Sequence, residues 1–173
     1  METKSESFQT GDSICKKLGF KSKGSVQENW PKGSKFLKAE EVENIADQLI
    51  EKYLPHLSNY NVGYLFKEKA SKSTGGHILG KARTESDMEQ VLHGYEAVIV
   101  IGFDKWIEAD LDGKFRLVYH ELLHLYEDPE KASMKIINHS VEEFPEVIAV
   151  FGPSQESHVQ FIQAYDHFKQ NNI

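Results

Sequence analysis

His120, Glu121 and His124 stand in the string His120-Glu121-Leu122-Leu123-His124, and their types and spacing suit one chemistry. On a helix, residues i and i+4 point about 40° apart on one face, so two imidazoles can reach a single metal ion. A carboxylate beside the first imidazole can then take a proton from a water that the metal activates. The pattern is H-E-x-x-H, and it predicts a metal-dependent hydrolase with zinc as the metal. The flanks argue against coincidence. Leu117-Val118-Tyr119 precede the string, Leu122 and Leu123 fill it, and Leu125-Tyr126 follow. Such a helix is buried over most of its circumference. Two histidines and a glutamate inside it need partners, because burying polar groups unpaired costs several kcal/mol.

A catalytic zinc site takes three protein ligands and keeps the fourth position for water. The third ligand must come from downstream: His139, Glu142, Glu143 or Glu146, with Glu127 and Asp128 about one turn past His124. Three ligands strung along one straight helix fit a tetrahedron poorly, which disfavours Glu127. A second helix crossing near the first is the better source. His139 stands just before such a helix, with Ser140 as its N-cap and Glu143 as the reciprocal partner of a capping box. That box also gives Glu143 a purely structural reading. Pro145 removes a hydrogen bond in the second turn, so the helix can begin a residue or two later. His139 is the expected third ligand, and Glu143 or Glu142 is the alternative.

The scaffold for these side chains is legible in outline. Helical periodicity runs over residues 36–54, through Val42, Ile45, Ala46, Leu49 and Ile50, and Pro55 closes it. Residues 62–66 and 77–82 read as strands around a basic turn at 67–76, and 97–101 is the strongest strand. Helical signal begins near Asp104, pauses at 110–113, and resumes through the motif to about Glu127, where Asp128-Pro129 ends it. A loop or short helix then leads to Asn138-His139-Ser140. A further helix runs to Phe151 and stops at Gly152-Pro153. Residues 154–170 form a last amphipathic helix.

The expected fold is α+β, a small mixed or antiparallel sheet of about three strands packed on the H-E-x-x-H helix and further helices. The 97–101 strand is expected at the sheet edge beside that helix, where a peptide can add as an extra strand. Three regions are expected: a weakly ordered or satellite extension over 1–34, the catalytic domain over 35–153, and a C-terminal amphipathic helix over 154–173.

The 173 residues fit one domain able to bury a core, and the net charge of −7 argues against broad binding to nucleic acid or anionic membrane. Cys15 is the only cysteine, which leaves no intrachain disulfide and no thiolate zinc site. No run approaches a transmembrane span, and the first residues lack the apolar core of a signal peptide. A cytoplasmic monomer acting on a protein or peptide is expected. His56, His77, His93, His158 and His167 have no ligand spacing and read as surface or locally bonded histidines. Tyr119 and Tyr126 read as core residues on the helix flank.

Residues from about 36 to 152 resemble the putative phage metallopeptidase family. The likeness rests on Tyr64-Leu65-Phe66, on Ile78-Leu79-Gly80-Lys81-Ala82 and on the apolar strand running into Phe103-Asp104-Lys105-Trp106. It rests most on His120-Glu121-Leu122-Leu123-His124 and on His139-Ser140-Val141-Glu142-Glu143-Phe144, ending in Phe151-Gly152. Ser140 stands where the family usually has Asp, and both are good N-caps. The resemblance implies a zincin-like minimal metalloprotease domain, a phage or prophage origin, and hence the host cytosol. The His-then-Phe helix start is also similar to SprT-like and Spartan-type proteases, which implies a three-histidine site completed by His139. Two rival functions follow from these likenesses: a regulatory or anti-defence binding protein on a zincin scaffold, and a DNA-associated protease of the SprT kind.

Overall fold

The computed structural model describes residues 14–21, 30–73, 76–131, 133–139 and 156–172. The chain divides into two compact units, 1–137 and 138–173. In chain order the elements of the first are α1 (Ile14–Lys17), β1 (Phe36–Lys38), α2 (Glu40–Tyr53), a 3-10 turn (Pro55–Asn59), β2 (Val62–Lys67), β3 (Ser71–Ser73), β4 (Gly76–Ile78) and β5 (Gly80–Thr84). They continue with α3 (Asp87–His93), β6 (Ala97–Gly102), α4 (Phe103–Trp106), α5 (Leu111–Leu123), β7 (Leu125–Asp128) and β8 (Ser133–Ile136). The described part of the second unit holds α6 (Glu156–Asn172). No described helix is long and apolar enough to cross a membrane.

The fold is α+β. Its main sheet has the order β1-β2-β6-β5, with β2 and β6 parallel and the outer pairs antiparallel. Two ribbons, β3-β4 and β7-β8, complete the strands among the described residues. The sheet therefore has four strands where about three were expected. The 97–101 strand is central, between β2 and β5, and the edge is β5. The reason lies in its composition: Val98, Ile99, Val100 and Ile101 are apolar on both faces, as a strand paired on both sides must be.

Three further departures have physical causes. Residues 36–38 are a strand, not a helix start. Only Leu37 of the three is partly buried there, and so short a run carries no decisive period. The 77–82 strand breaks at Leu79, whose carbonyl accepts from the Gly102 N–H at 2.8 Å, so β4 pairs with β3 and β5 with β6. The motif helix stops at Leu123, and residues 125–128 pair as β7 with β8. Asp128-Pro129 is the hairpin turn: the Asp128 carboxylate accepts from the Glu130 N–H at 3.0 Å and pairs with Lys135. The turn chemistry is as the sequence suggests, but it joins two strands. The helix α3 was not foreseen. Ser86 and Glu89 give it a capping box, and Gly94 closes it at φ 79°.

The core lies between one face of the sheet and α2 with α5. Val42, Ile45, Ala46 and Leu49 of α2 meet Phe115, Val118 and Leu122 of α5 over Tyr64, Ile99 and Ala82. Each large aliphatic side chain so buried contributes about 1.5–3 kcal/mol. One polar group sits among them. Glu41 is 5% exposed; it accepts from Trp106 Nε1 at 2.8 Å and pairs with Lys114 Nζ at 2.9 Å. That carboxylate ties α2, α4 and α5 together. The N-terminal α1 is tied to the same helix, because Asp112 accepts from the Ile14 and Cys15 N–H groups at 2.9 Å each. The Cys15 thiol is buried and its pKa is pushed up to about 12, chiefly by burial and then by Asp112, which makes it a poor nucleophile.

Glu41→Ala leaves the Lys114 ammonium and the Trp106 N–H without their partner. The expected loss is about 3 kcal/mol, or roughly 6–12 °C in Tm for a chain of this size. Thermal unfolding checks it, and an unchanged Tm would mean that the clamp carries no stability.

Candidate metal centre

Asp110 starts the helix that carries the motif: its carboxylate accepts from the Gly113 N–H at 2.7 Å. Phe115, Val118 and Leu122 then face the core. The helical period puts His120 and His124 on the opposite side and Glu121 on the flank between. His120 is exposed and His124 half-buried. Their rings lie 5.1 Å apart between centroids and nearly perpendicular, at 83°.

His124 is the helix's C-cap residue, and two hydrogen bonds decide its setting. Its backbone carbonyl accepts from the Ile137 N–H at 2.9 Å. Its ring Nδ1 donates to the Ile137 carbonyl at 2.6 Å. A carbonyl only accepts, so the neutral ring carries its proton on Nδ1 and its lone pair on Nε2. This is how proteins hold a ligating imidazole in one tautomer and one orientation. The same contact extends the β7-β8 ladder by one step beyond the Leu125–Ile136 pair.

His139 follows Ile137 by two residues. One ring nitrogen from each of His120, His124 and His139 lies within 4.8 Å of the other two, and no other described group of histidine, cysteine or carboxylate ligands is close enough to hold a metal ion. Three imidazoles form a donor set suited to zinc, copper, iron or nickel. The residues present therefore fit the metal that the motif implies.

Glu121 is 4% exposed. Its carboxylate accepts the Ala82 N–H of the edge strand, and burial raises its pKa against the opposing pull of His124 and of that N–H. Gly80 makes room for it: a Cβ there would stand 2.5 Å from Glu121 Oε1 and 2.8 Å from Cγ. A glycine inside a strand commonly marks such a close approach. That was the available signal for Gly80, and sequence reasoning had not used it. For Ala82, which acts through its backbone, side-chain identity offers no signal.

Several candidates stand elsewhere. Glu127 and Asp128 lie on β7, outside the histidine cluster, with the Glu127 carboxylate against the Tyr60 hydroxyl. Tyr126 also lies on β7, 47% exposed, and is not a core residue; Tyr119 does pack on the core. Glu142, Glu143 and Glu146 lie outside the described residues, as do Ser140 and Pro145. His93 bonds Glu85 at 3.1 Å, and His167 meets Asn171. His158 was expected at the surface or locally bonded, but it is 1% exposed and neither ring nitrogen bonds a described residue.

A family model described as putative phage metallopeptidase matches residues 34–166. The chain belongs to that family. The match spans β1 through most of α6, so the motif helix, Gly80, Ala82 and His139 all fall inside the phage metallopeptidase region. The family name carries a metal and a peptide-bond substrate with it. No curated protein and no solved structure matches the chain.

Gly80→Ala is expected to push Glu121 off the strand at a cost of about 1–3 kcal/mol. Pairing it with Glu121→Ala removes the collision, so the double variant should lose less than the sum of the singles by about 1 kcal/mol. Denaturant unfolding of the four proteins measures this. Strict additivity would mean that Gly80 and Glu121 do not touch.

Proposed function

We infer that this phage metallopeptidase hydrolyses peptide bonds with zinc held by His120, His124 and His139 and with Glu121 as general base. The observation that supports it most is the convergence of the three imidazoles within 4.8 Å, beside a carboxylate buried against the edge strand. Three histidines are the donor set of catalytic zinc sites that keep one position open for water. When bound, the ion would supply an acidified water and a Lewis acid for the scissile carbonyl.

The chain's own residues do the rest. Glu121 takes the proton of the attacking water onto its carboxylate and passes it to the leaving amine. Burial favours the protonated form, so the buried carboxylate is a stronger base than a solvated one. The Ala82 N–H and the open space at Gly80 fix where it stands. The Ile137 carbonyl holds the His124 ring in the tautomer that presents Nε2. A protein or peptide is the substrate, met in the cytosol of the phage's host.

Glu121→Gln keeps the shape and removes the base. It should retain zinc at the wild-type level while hydrolysis of a peptide library falls by roughly 10²–10⁴-fold. Zinc lost together with activity would instead give Glu121 a structural part. His139→Ala should cut zinc content sharply in metal analysis. Wild-type zinc content with unchanged stability would hand the third position to Glu142 or Glu143.

A further inference from the structure

On the exposed side of α2, Glu43, Asp47 and Glu51 repeat at the i, i+4 spacing that stacks side chains on one helix face. Like charges so spaced repel by a few tenths of a kcal/mol per pair. None of the three forms an ion pair with a described residue. They form one wall of a pocket of about 600 Å³, whose other polar lining includes Tyr60, Tyr64 and Tyr95. That volume lies in the range of small-ligand sites.

Tyr64 is the informative member. It is 8% exposed and lines this pocket. Its hydroxyl has no hydrogen bond from any described residue. The charges that bear on it are those of Asp47 and Glu43, which, after burial, push its pKa up. That hydroxyl is not closed off from solvent, so a polar group in the pocket can reach it. The group's charge must be positive to sit among three carboxylates. A bare metal ion does not fit, because these carboxylates do not come close enough together to coordinate one. Leu57 and Val62 supply an apolar floor, and tyrosine faces attract cations.

We propose that this pocket binds an organic cation, an ammonium or guanidinium on an apolar stem such as a lysine or arginine side chain or a polyamine. The Tyr64 hydroxyl would accept a hydrogen bond from the cation, while Asp47 and its neighbours on α2 neutralise its charge. The chain's net charge of −7 draws such a ligand in from a distance. The proposal is independent of peptide hydrolysis.

Nuclear magnetic resonance titration of the full chain tests it with four probes: the methylamides of Nα-acetyl-lysine, Nα-acetyl-arginine and Nα-acetyl-norleucine, and spermidine. The expected result is saturable shifts at the Tyr60, Asn61 and Val62 amides with the cationic probes and none with norleucine. Asp47→Asn, an exposed substitution, should weaken binding at least fivefold, and Tyr64→Phe should also weaken it. Tighter binding of the amino-acid probes assigns the site to a polypeptide side chain; tighter binding of spermidine assigns it to a free polyamine. Equal shifts with norleucine, no shifts at these amides, or full affinity in Asp47→Asn would overturn the proposal.

Discussion

Two hydrogen bonds between His124 and Ile137 set the geometry on which the candidate metal site depends. One takes the His124 carbonyl out of helical bonding and makes it the first rung of a hairpin. The other leaves the imidazole a single tautomer. Helix end, strand start and ring orientation are thus one event at one residue. Neither bond is worth much more than about 1 kcal/mol alone. Their weight comes from what they fix together, since a ring already held in place would lose little entropy on binding a metal.

The edge strand does the complementary work along the helix flank that carries Glu121. Burying a carboxylate is costly unless it is bonded, and Glu121 offsets part of that cost through His124 and a backbone N–H, not through a lysine or arginine. A lysine or arginine partner would hold the carboxylate ionised much more strongly. The Ala82 N–H stabilises the carboxylate more gently and leaves burial to dominate. Gly80 completes the arrangement by having no side chain. The scaffold thus acts on the motif glutamate through main chain and empty space.

Legibility of the sequence followed the length of the pattern. The motif helix, α2 and the apolar strand β6 carry long or chemically distinctive signals, and their cores were readable. The short pieces were not. Three residues at β1 and four each at β7 and β8 are below the length at which period 2 and period 3.6 separate. Tyr126 illustrates the cost, because extending the helix through it turned an exposed strand residue into a core one. Edge and centre also exchanged places: the neighbour of the motif helix is β5, whose Gly80 and Lys81 look unpromising as strand formers. His139 was reachable as a ligand candidate because it is a histidine, while Ala82 acts through a group every residue possesses.

The β7-β8 hairpin bears on how such sites vary. Its ladder counts residues in matched pairs outward from a turn, and the His124–Ile137 rung is the last of them. The interval between the second and third histidines is therefore twice an arm plus a turn and the two residues from Ile137 to His139, not a fixed spacing. Lengthening both arms by the same number of residues preserves the pairing, whereas adding one residue to a single arm shifts the register and turns every later side chain to the opposite face. A search for this site by fixed sequence interval tests the wrong variable; strand register is the quantity that geometry conserves.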